Sequence, residues 1–229
     1  SVVQQSYQSY LAIKYGTTLD PIDGVVVDPD ITEGDYRLRD ETTIVWDYAA
    51  NSDYHNDVAG IGKDDALDLE QKQSKSENSD AVITIGLGSI AASNASNSNS
   101  FVNNKDFLMW GNNNESVAAA DVLETELICA PEKTLARTWK IVENGSVGKV
   151  QVAIEQATIE GALTTANTIK VLKVADDAAF TSNVAYIPVT ELNVNTIESY
   201  VANYDFNGTK YFTYSEVNGI FWFGENNAW

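Results

Sequence analysis

The chain has 229 residues, of which 33 are acidic and 14 are basic, so its formal net charge is −19 at pH 7. Such a surface repels the phosphate backbone of nucleic acids and the anionic face of membranes, which argues against both as partners. Hydrophobic residues make up 44% of the chain, which is enough to build a core. No apolar run approaches the roughly 20 residues of a membrane span, so we expect no membrane insertion.

The first residues of the chain predict a helix. Its apolar positions recur at the spacing of one helix face: Val3, Tyr7, Tyr10 and Leu11. Gly16 follows as a C-terminal cap. We therefore assign 1–16 to an N-terminal helix, which is either the tail of an upstream element or an arm that packs on a partner. Val3 and Tyr7 are the interaction residues expected on this helix.

The remaining residues, 17–229, predict a β-rich module. Short apolar runs alternate with Gly, Asn and Asp, as in strands joined by specific turns. Two of these runs, 136–143 and 149–155, are predicted to form a hairpin around the turn at 145–148. We expect a mainly β fold, namely an antiparallel β-sandwich-type module with one N-terminal helix. A division of this module into two lobes, with a seam near 115–135, is left open.

The sequence contains no catalytic motif that we recognise. His55 is the only histidine, so a multi-histidine zinc site is excluded, and no Gly-x-Ser-x-Gly nucleophile elbow accompanies it. We interpret His55 as a loop residue with a structural hydrogen bond. Cys129 is the only cysteine, and its apolar neighbours indicate a core position. We therefore predict that the protein is not an enzyme.

Three aspartates form the candidate metal site. Asp64, Asp65 and Asp68 follow the glycine-containing strand predicted at 58–63 and lie next to Glu70. Calcium prefers several oxygen ligands on a flexible turn, so calcium is the ion that this cluster would hold. A charged turn exposed to water is the alternative interpretation. We predict no other cofactor.

The C-terminal segment is aromatic and includes Phe221, Trp222 and Trp229. Such a segment either completes the chain's own sheet or packs on a neighbouring subunit, because unpaired strand edges invite strand addition. We therefore add these three residues to Val3 and Tyr7 as candidate interaction residues. The expected partners are other domains or copies of the same surface protein, with glycans as the alternative.

Several motifs resemble those of a group of large secreted proteins of Bacteroidota. Residues 9–19, SYLAIKYGTTL, resemble the segment that follows a laminin-G/concanavalin-like lectin domain in those proteins. The β-rich module of unknown function that comes next in them is similar to five stretches of this chain: 43–47, 54–65, 69–74, 107–112 and 137–150. The resemblance covers most of the chain.

The resemblance implies type IX secretion cargo, exported to the bacterial cell surface and tied to adhesion or gliding. It implies no catalytic residues, because no activity is established for the module. One departure concerns calcium. Members of the group often carry an acidic Asp-x-Asp-Gly-Asp turn where this chain has Asp176-Asp177-Ala178-Ala179, and the loss of the glycine and the last acid weakens a calcium site there.

The leading prediction is a non-catalytic extracellular structural or adhesive module of a bacterial cell-surface protein, with a surface polymer or filament as its assembled form. The first alternative is a carbohydrate-binding module in which Trp46, Trp110, Trp139 or the tyrosines of 200–214 stack on sugar rings, although their positions on strands place most of them in the core. The second alternative is a glycoside hydrolase. That enzyme needs only two suitably placed carboxylates, and no pair stands out.

Overall fold

Strands account for most of the regular structure. The computed structural model describes residues 1–20, 33–121 and 131–218. The helices in these ranges are α1 (Val2–Tyr15), α2 (Tyr48–Asn51) and α3 (Gln156–Glu160), with a 3₁₀ turn at Ser52–Tyr54. The strands are β1 (Tyr36–Arg37), β2 (Ile44–Trp46), β3 (Asn56–Asp64), β4 (Leu69–Gln71), β5 (Gln73–Lys75), β6 (Ile83–Leu87), β7 (Phe107–Asn112), β8 (Ala119–Asp121), β9 (Pro131–Leu135), β10 (Trp139–Asn144), β11 (Lys149–Glu155), β12 (Thr168–Ala175), β13 (Ala185–Pro188), β14 (Thr190–Val194), β15 (Ile197–Asp205) and β16 (Thr209–Asn218). The predicted mainly β class with an N-terminal helix is confirmed.

Two antiparallel sheets pack face to face. The larger sheet has the strand order β13-β12-β16-β10-β7-β3-β4, and β8 and β9 join it beside β16. The smaller sheet has the order β14-β15-β11-β6-β5. Ile61, Trp110 and Ile141 of the larger sheet share one hydrophobic core with Ile85 and Val152 of the smaller sheet. This arrangement confirms the predicted sandwich-type architecture.

The predicted hairpin between 136–143 and 149–155 is wrong. β10 pairs with β7 and β16 in the larger sheet, whereas β11 pairs with β6 and β15 in the smaller sheet. The link between them therefore crosses the sandwich. Two carboxylates hold the link: Asp106 Oδ1 accepts from Ser146 N at 3.0 Å, and Glu143 Oε1 accepts from Val147 N at 2.7 Å. These contacts stabilise a link that crosses from one sheet to the other. The alternation of apolar and polar residues within each strand does not show whether such a link crosses the sandwich or forms a hairpin.

Strands from before and after the expected seam at 115–135 share both sheets. β7 pairs with β10 in the larger sheet, and β6 pairs with β11 in the smaller sheet. Ladder hydrogen bonds therefore connect the two halves of the chain directly. Residues 122–130 of the seam, which include Cys129, lie outside the described residues.

A third layer covers part of the outer face of the larger sheet. It consists of α1 and the β1–β2 pair, and Ile13 of α1 packs there in a second hydrophobic cluster with Phe107 and Met109. Gly60 and Gly62 of β3 make room for these two side chains. A Cβ on either glycine would come within 2.1 Å of Met109 or Phe107. The glycines are therefore required by packing between neighbouring strands.

Candidate interaction sites

His55 belongs to a buried hydrogen-bond network. Its Nδ1 accepts from Trp46 Nε1 at 3.0 Å, and its Nε2 lies 2.8 Å from the carbonyl oxygen of Leu19. Because Nδ1 accepts, Nε2 carries the proton and donates to that carbonyl. Burial lowers the pKa of His55, which favours this neutral form. The structural role predicted for His55 is confirmed.

A second buried network surrounds Asp57. Its carboxylate accepts from Asn78 Nδ2 at 2.8 Å and from Asn112 Nδ2 at 2.6 Å. Arg137 Nη1 lies 3.5 Å from the same carboxylate, and Arg137 Nη2 pairs with Asp80 at 3.0 Å. These partners come from both halves of the chain. The network therefore locks the two halves together, and its polar groups are occupied by one another.

The structure does not bring the three predicted calcium ligands together as a metal site. Asp64 is buried and its carboxylate accepts from backbone amides, including Arg39 N at 3.2 Å. Asp65 is exposed and pairs with Lys63 at 3.2 Å, and Asp68 is exposed as well. Across residues 1–20, 33–121 and 131–218, no three His, Cys, Asp or Glu side chains form a group that could hold a metal ion. The backbone amides of Arg39 and Ala66 therefore occupy the two Asp64 oxygens that calcium would need.

The tryptophans considered as sugar platforms are core residues. Trp46, Trp110 and Trp139 are 0%, 1% and 2% exposed. Trp139 stacks on Phe212 with a ring-centroid distance of 5.4 Å. A carbohydrate therefore cannot reach these three rings, and this version of the carbohydrate-binding prediction is wrong.

The outward face of α1 is apolar. Val3, Tyr7 and Leu11 are 37%, 48% and 49% exposed. Their spacing of four residues aligns them along one side of the helix, and we call these three residues the apolar stripe. Two of the predicted interaction residues, Val3 and Tyr7, therefore lie at the surface and are accessible.

The opposite face of α1 is buried, with Gln5, Ser6 and Ser9 towards its start and apolar Ala12 and Ile13 towards its end. Gln5 Nε2 donates to the carbonyl oxygen of Asp35 at 3.2 Å. Ser9 Oγ donates to the carbonyl oxygen of Gln5 at 2.9 Å and accepts from Arg37 N at 2.9 Å. Gly16 ends the helix in the left-handed conformation, with φ of 69°. Hydrogen bonds to the segment around β1 thus fix an orientation that leaves the apolar side chains outside.

The helix that bears the apolar stripe carries no acidic side chain, and the acidic residue Glu41 beside it is paired with Arg39 at 2.6 Å. The sequence of α1 contains no Asp or Glu, although the whole chain has a net charge of −19. The Arg39 guanidinium lies 5.7 Å from the centre of the Tyr7 ring, in the range of a cation–π contact. The other predicted interaction residues, Phe221, Trp222 and Trp229, lie outside the described residues.

A groove crosses the outer face of the smaller sheet. Its cavity volume is about 650 Å³, within the range of about 300–1,000 Å³ that is usual for ligand sites. Small side chains on β6, β11 and β15 form its floor, among them Thr84, Ala153 and Ser199. Tyr15 at the end of α1 and Ile197 after the β14–β15 turn line its two sides.

The groove was not predicted from the sequence. Its lining comes from α1 and from six strands spread along the chain. The only local signal was the outward face of β11, where Gln151, Ala153 and Glu155 alternate with buried Val152 and Ile154. A small residue in the middle of an outward face predicts a depression only once the neighbouring strands are known.

Comparisons with known proteins give a family without an activity. A family model described as a domain of unknown function, DUF8202, matches residues 3–210. No curated protein matches the chain. No solved structure matches it. In the part of the chain that the structure describes, no helix is both long enough and apolar enough to span a membrane.

Proposed function

The chain belongs to the DUF8202 family of domains of unknown function, and we propose that it is a non-catalytic structural and adhesive module of a bacterial cell-surface protein. In this proposal, copies of the module associate through the apolar stripe. One observation carries the proposal: the buried face of α1 anchors the helix by hydrogen bonds and apolar packing, and its other side presents Val3, Tyr7 and Leu11 to the outside. Contiguous apolar surface of this kind is typical of contact sites between proteins.

A second copy is the occupant that the charges favour. With a net charge of −19, copies repel each other over most of their surface. Contact therefore requires a patch without acidic side chains, and the surface of α1 is such a patch. A two-fold arrangement would place one apolar stripe on another, because an isologous interface uses the same surface on both subunits.

The expected contact is weak in the isolated module. Complete burial of one half-exposed side chain of the apolar stripe gains about 1 kcal/mol. A contact between two copies buries three such side chains from each copy. Association costs at least about 4 kcal/mol in lost translational and rotational freedom. The surplus is small, so we expect self-association at high protein concentration and a stable assembly only where several modules are linked.

The cell-surface setting rests on the resemblance of residues 9–19 and of the β motifs to secreted proteins of Bacteroidota. The fold suits that role, because ladder hydrogen bonds join both halves of the chain into two packed sheets. The buried side chains of His55, Asp57 and Asp64 are engaged in structural hydrogen bonds, which supports a non-catalytic role.

The test is the association state of a double variant, Tyr7→Ser with Leu11→Ser. We expect the unmodified protein to show concentration-dependent association by size-exclusion chromatography with light scattering, and the variant to remain monomeric. Both positions are exposed, so thermal unfolding should change little.

Val102→Ser is the matched control, because Val102 is an exposed apolar residue, 86% exposed, that lies between β6 and β7 and does not belong to α1. It should associate as the unmodified protein does. The proposal is rejected if the unmodified protein stays monomeric at millimolar concentration, or if the double variant associates equally well.

A further inference from the structure

We propose that the groove on the smaller sheet binds a neutral oligosaccharide, with Tyr15 as the ring on which one sugar unit packs. The inference gives the adhesive part of the proposed function its ligand class and rests on that part. It does not depend on the apolar stripe, because no residue of the stripe lines the groove.

The floor of the groove combines small size with hydroxyl groups. Ala153 pairs with Thr84 across β11 and β6, and Ser199 lies on the same face of β15. Among the described residues the Thr84 hydroxyl has no hydrogen-bond partner, and Ser199 Oγ donates to the carbonyl oxygen of Ile197 at 3.2 Å, which leaves its acceptor positions open. The floor therefore offers donors and acceptors to a ligand without any prior loss of internal hydrogen bonds.

The sides of the groove supply exposed apolar surface. Tyr15 is 58% exposed and Ile197 is 47% exposed. The carbonyl oxygen of Gly16 accepts from Glu77 N at 2.9 Å, which fixes the end of α1 against the segment after β5. A sugar ring has an apolar face of C–H groups and a polar rim of hydroxyls. An aromatic side wall above a hydroxyl-bearing floor matches both surfaces.

The charges of the groove favour a ligand without net charge. Its lining contains two lysines and two glutamates, so these formal charges cancel: Lys14, Lys75, Glu77 and Glu155. Lys75 Nζ and Glu155 Oε1 form an ion pair at 3.1 Å. The rest of the molecule, with its large negative charge, repels anionic polymers.

The three strands that form the floor of the groove offer no free edge for strand addition. β6, β11 and β15 are interior strands, and each pairs with a neighbour on both sides. Their backbone amides and carbonyls are therefore already used in the ladder. Recognition has to come from side chains, which favours a polyhydroxylated ligand over an extended peptide.

The experiment is an NMR titration of the full chain with neutral hexasaccharides of glucose, mannose, xylose and galactose. We expect at least one to bind with saturable shifts at the amides of Thr84 and Ser199. Tyr15→Ala should weaken binding by about tenfold, the factor that corresponds to 1.4 kcal/mol. Thr84→Val, which removes a floor hydroxyl and keeps the shape, should weaken it as well.

Tyr7→Ala is the matched control, because Tyr7 is an exposed tyrosine of the same helix outside the groove. It should bind as the unmodified protein does, and Tyr15→Phe should retain most of the affinity. The inference is overturned if no hexasaccharide gives saturable shifts, if the shifts avoid the groove, or if Tyr15→Ala and Thr84→Val both bind normally. The Tyr7→Ser, Leu11→Ser variant should bind sugar as the unmodified protein does, because its substitutions lie outside the groove. Its sugar binding therefore tells a failure of the groove proposal apart from a failure of self-association.

Discussion

His55 illustrates what single residues reveal from sequence and what they conceal. Its structural role was predictable, because one histidine without a nucleophile motif has few catalytic options. Its partners were not, since Trp46 is 9 positions away and Leu19 is 36 positions away. The observed role of Asp64 differs from the predicted role as a calcium ligand for a related reason. Three aspartates near one turn look like calcium ligands, and only the fold shows that Asp64 points inward to accept backbone amides.

The buried His55 predicts a pH dependence of stability. Its pKa in the folded protein lies below the ordinary 6.5 because of burial. Below about pH 6.5 the unfolded chain therefore binds a proton that the folded chain resists, so the free energy of unfolding falls as the pH falls. His55→Gln should reduce the loss between pH 7 and pH 5, measured by urea unfolding. It should also lower the stability at pH 7 by about 1–3 kcal/mol, because a flexible amide does not hold the two ring-nitrogen contacts, to Trp46 Nε1 and to the carbonyl oxygen of Leu19, in one fixed geometry.

Ile141→Val is the control for this pH series. It removes one methylene from the core and should destabilise by about 1 kcal/mol at every pH. Equal pH slopes for His55→Gln and for the unmodified protein would show that His55 does not carry the effect.

Among elements, the strands were more predictable than their pairing. In β11, Val150, Val152 and Ile154 are buried, as alternation along a strand predicts, because a strand has a period of two. The alternation could not show whether the next element lies beside β10 or across the sandwich. For α1, the predicted face holds for Val3, Tyr7 and Leu11, whereas Tyr10 packs against the second hydrophobic cluster. The direction of that face depends on hydrogen bonds to the segment around β1, which a hydrophobic pattern does not contain.

The β14–β15 turn carries a strained residue. Val194 pairs with Ile197, and the two residues between them, Asn195 and Thr196, have φ of 50° and 74°. Asn tolerates the left-handed region, whereas β-branched Thr adopts it at a cost of about 1–3 kcal/mol. Glycine is the preferred second residue of such two-residue turns.

Thr196→Gly should therefore stabilise the protein. Relief of strain exceeds the entropic penalty of glycine, so we expect a gain of about 1 kcal/mol and a rise in Tm of about 2–4 °C. Differential scanning calorimetry would measure this. Thr190→Gly in the neighbouring strand, where φ is not positive, should lower Tm. A lower Tm for Thr196→Gly would refute the argument from strain.

For the molecule as a whole, composition and alternation were sufficient for the fold class, and the surfaces required the structure. The chain has enough apolar residues for a core, and its short runs separated by turn residues led to the β-sandwich prediction. The groove and the apolar stripe are products of tertiary arrangement. The groove is formed by small residues from distant strands. The apolar stripe is formed by a helix whose opposite side is buried.

The net charge of −19 makes the central claim directly testable in salt. Repulsion between copies extends over about 10 Å at 0.1 M ionic strength and over about 3 Å at 1 M. α1 has no acidic side chain, so the attraction through the apolar stripe does not depend on charge. Salt should therefore screen the repulsion between copies and leave this attraction in place.

The decisive measurement is sedimentation equilibrium of the unmodified protein over a range of NaCl concentrations, beside the Tyr7→Ser, Leu11→Ser variant. The account predicts that the association constant of the unmodified protein rises as salt increases, while the variant stays monomeric throughout. A monomeric unmodified protein at every salt and protein concentration, or a variant that associates to the same extent, would contradict it.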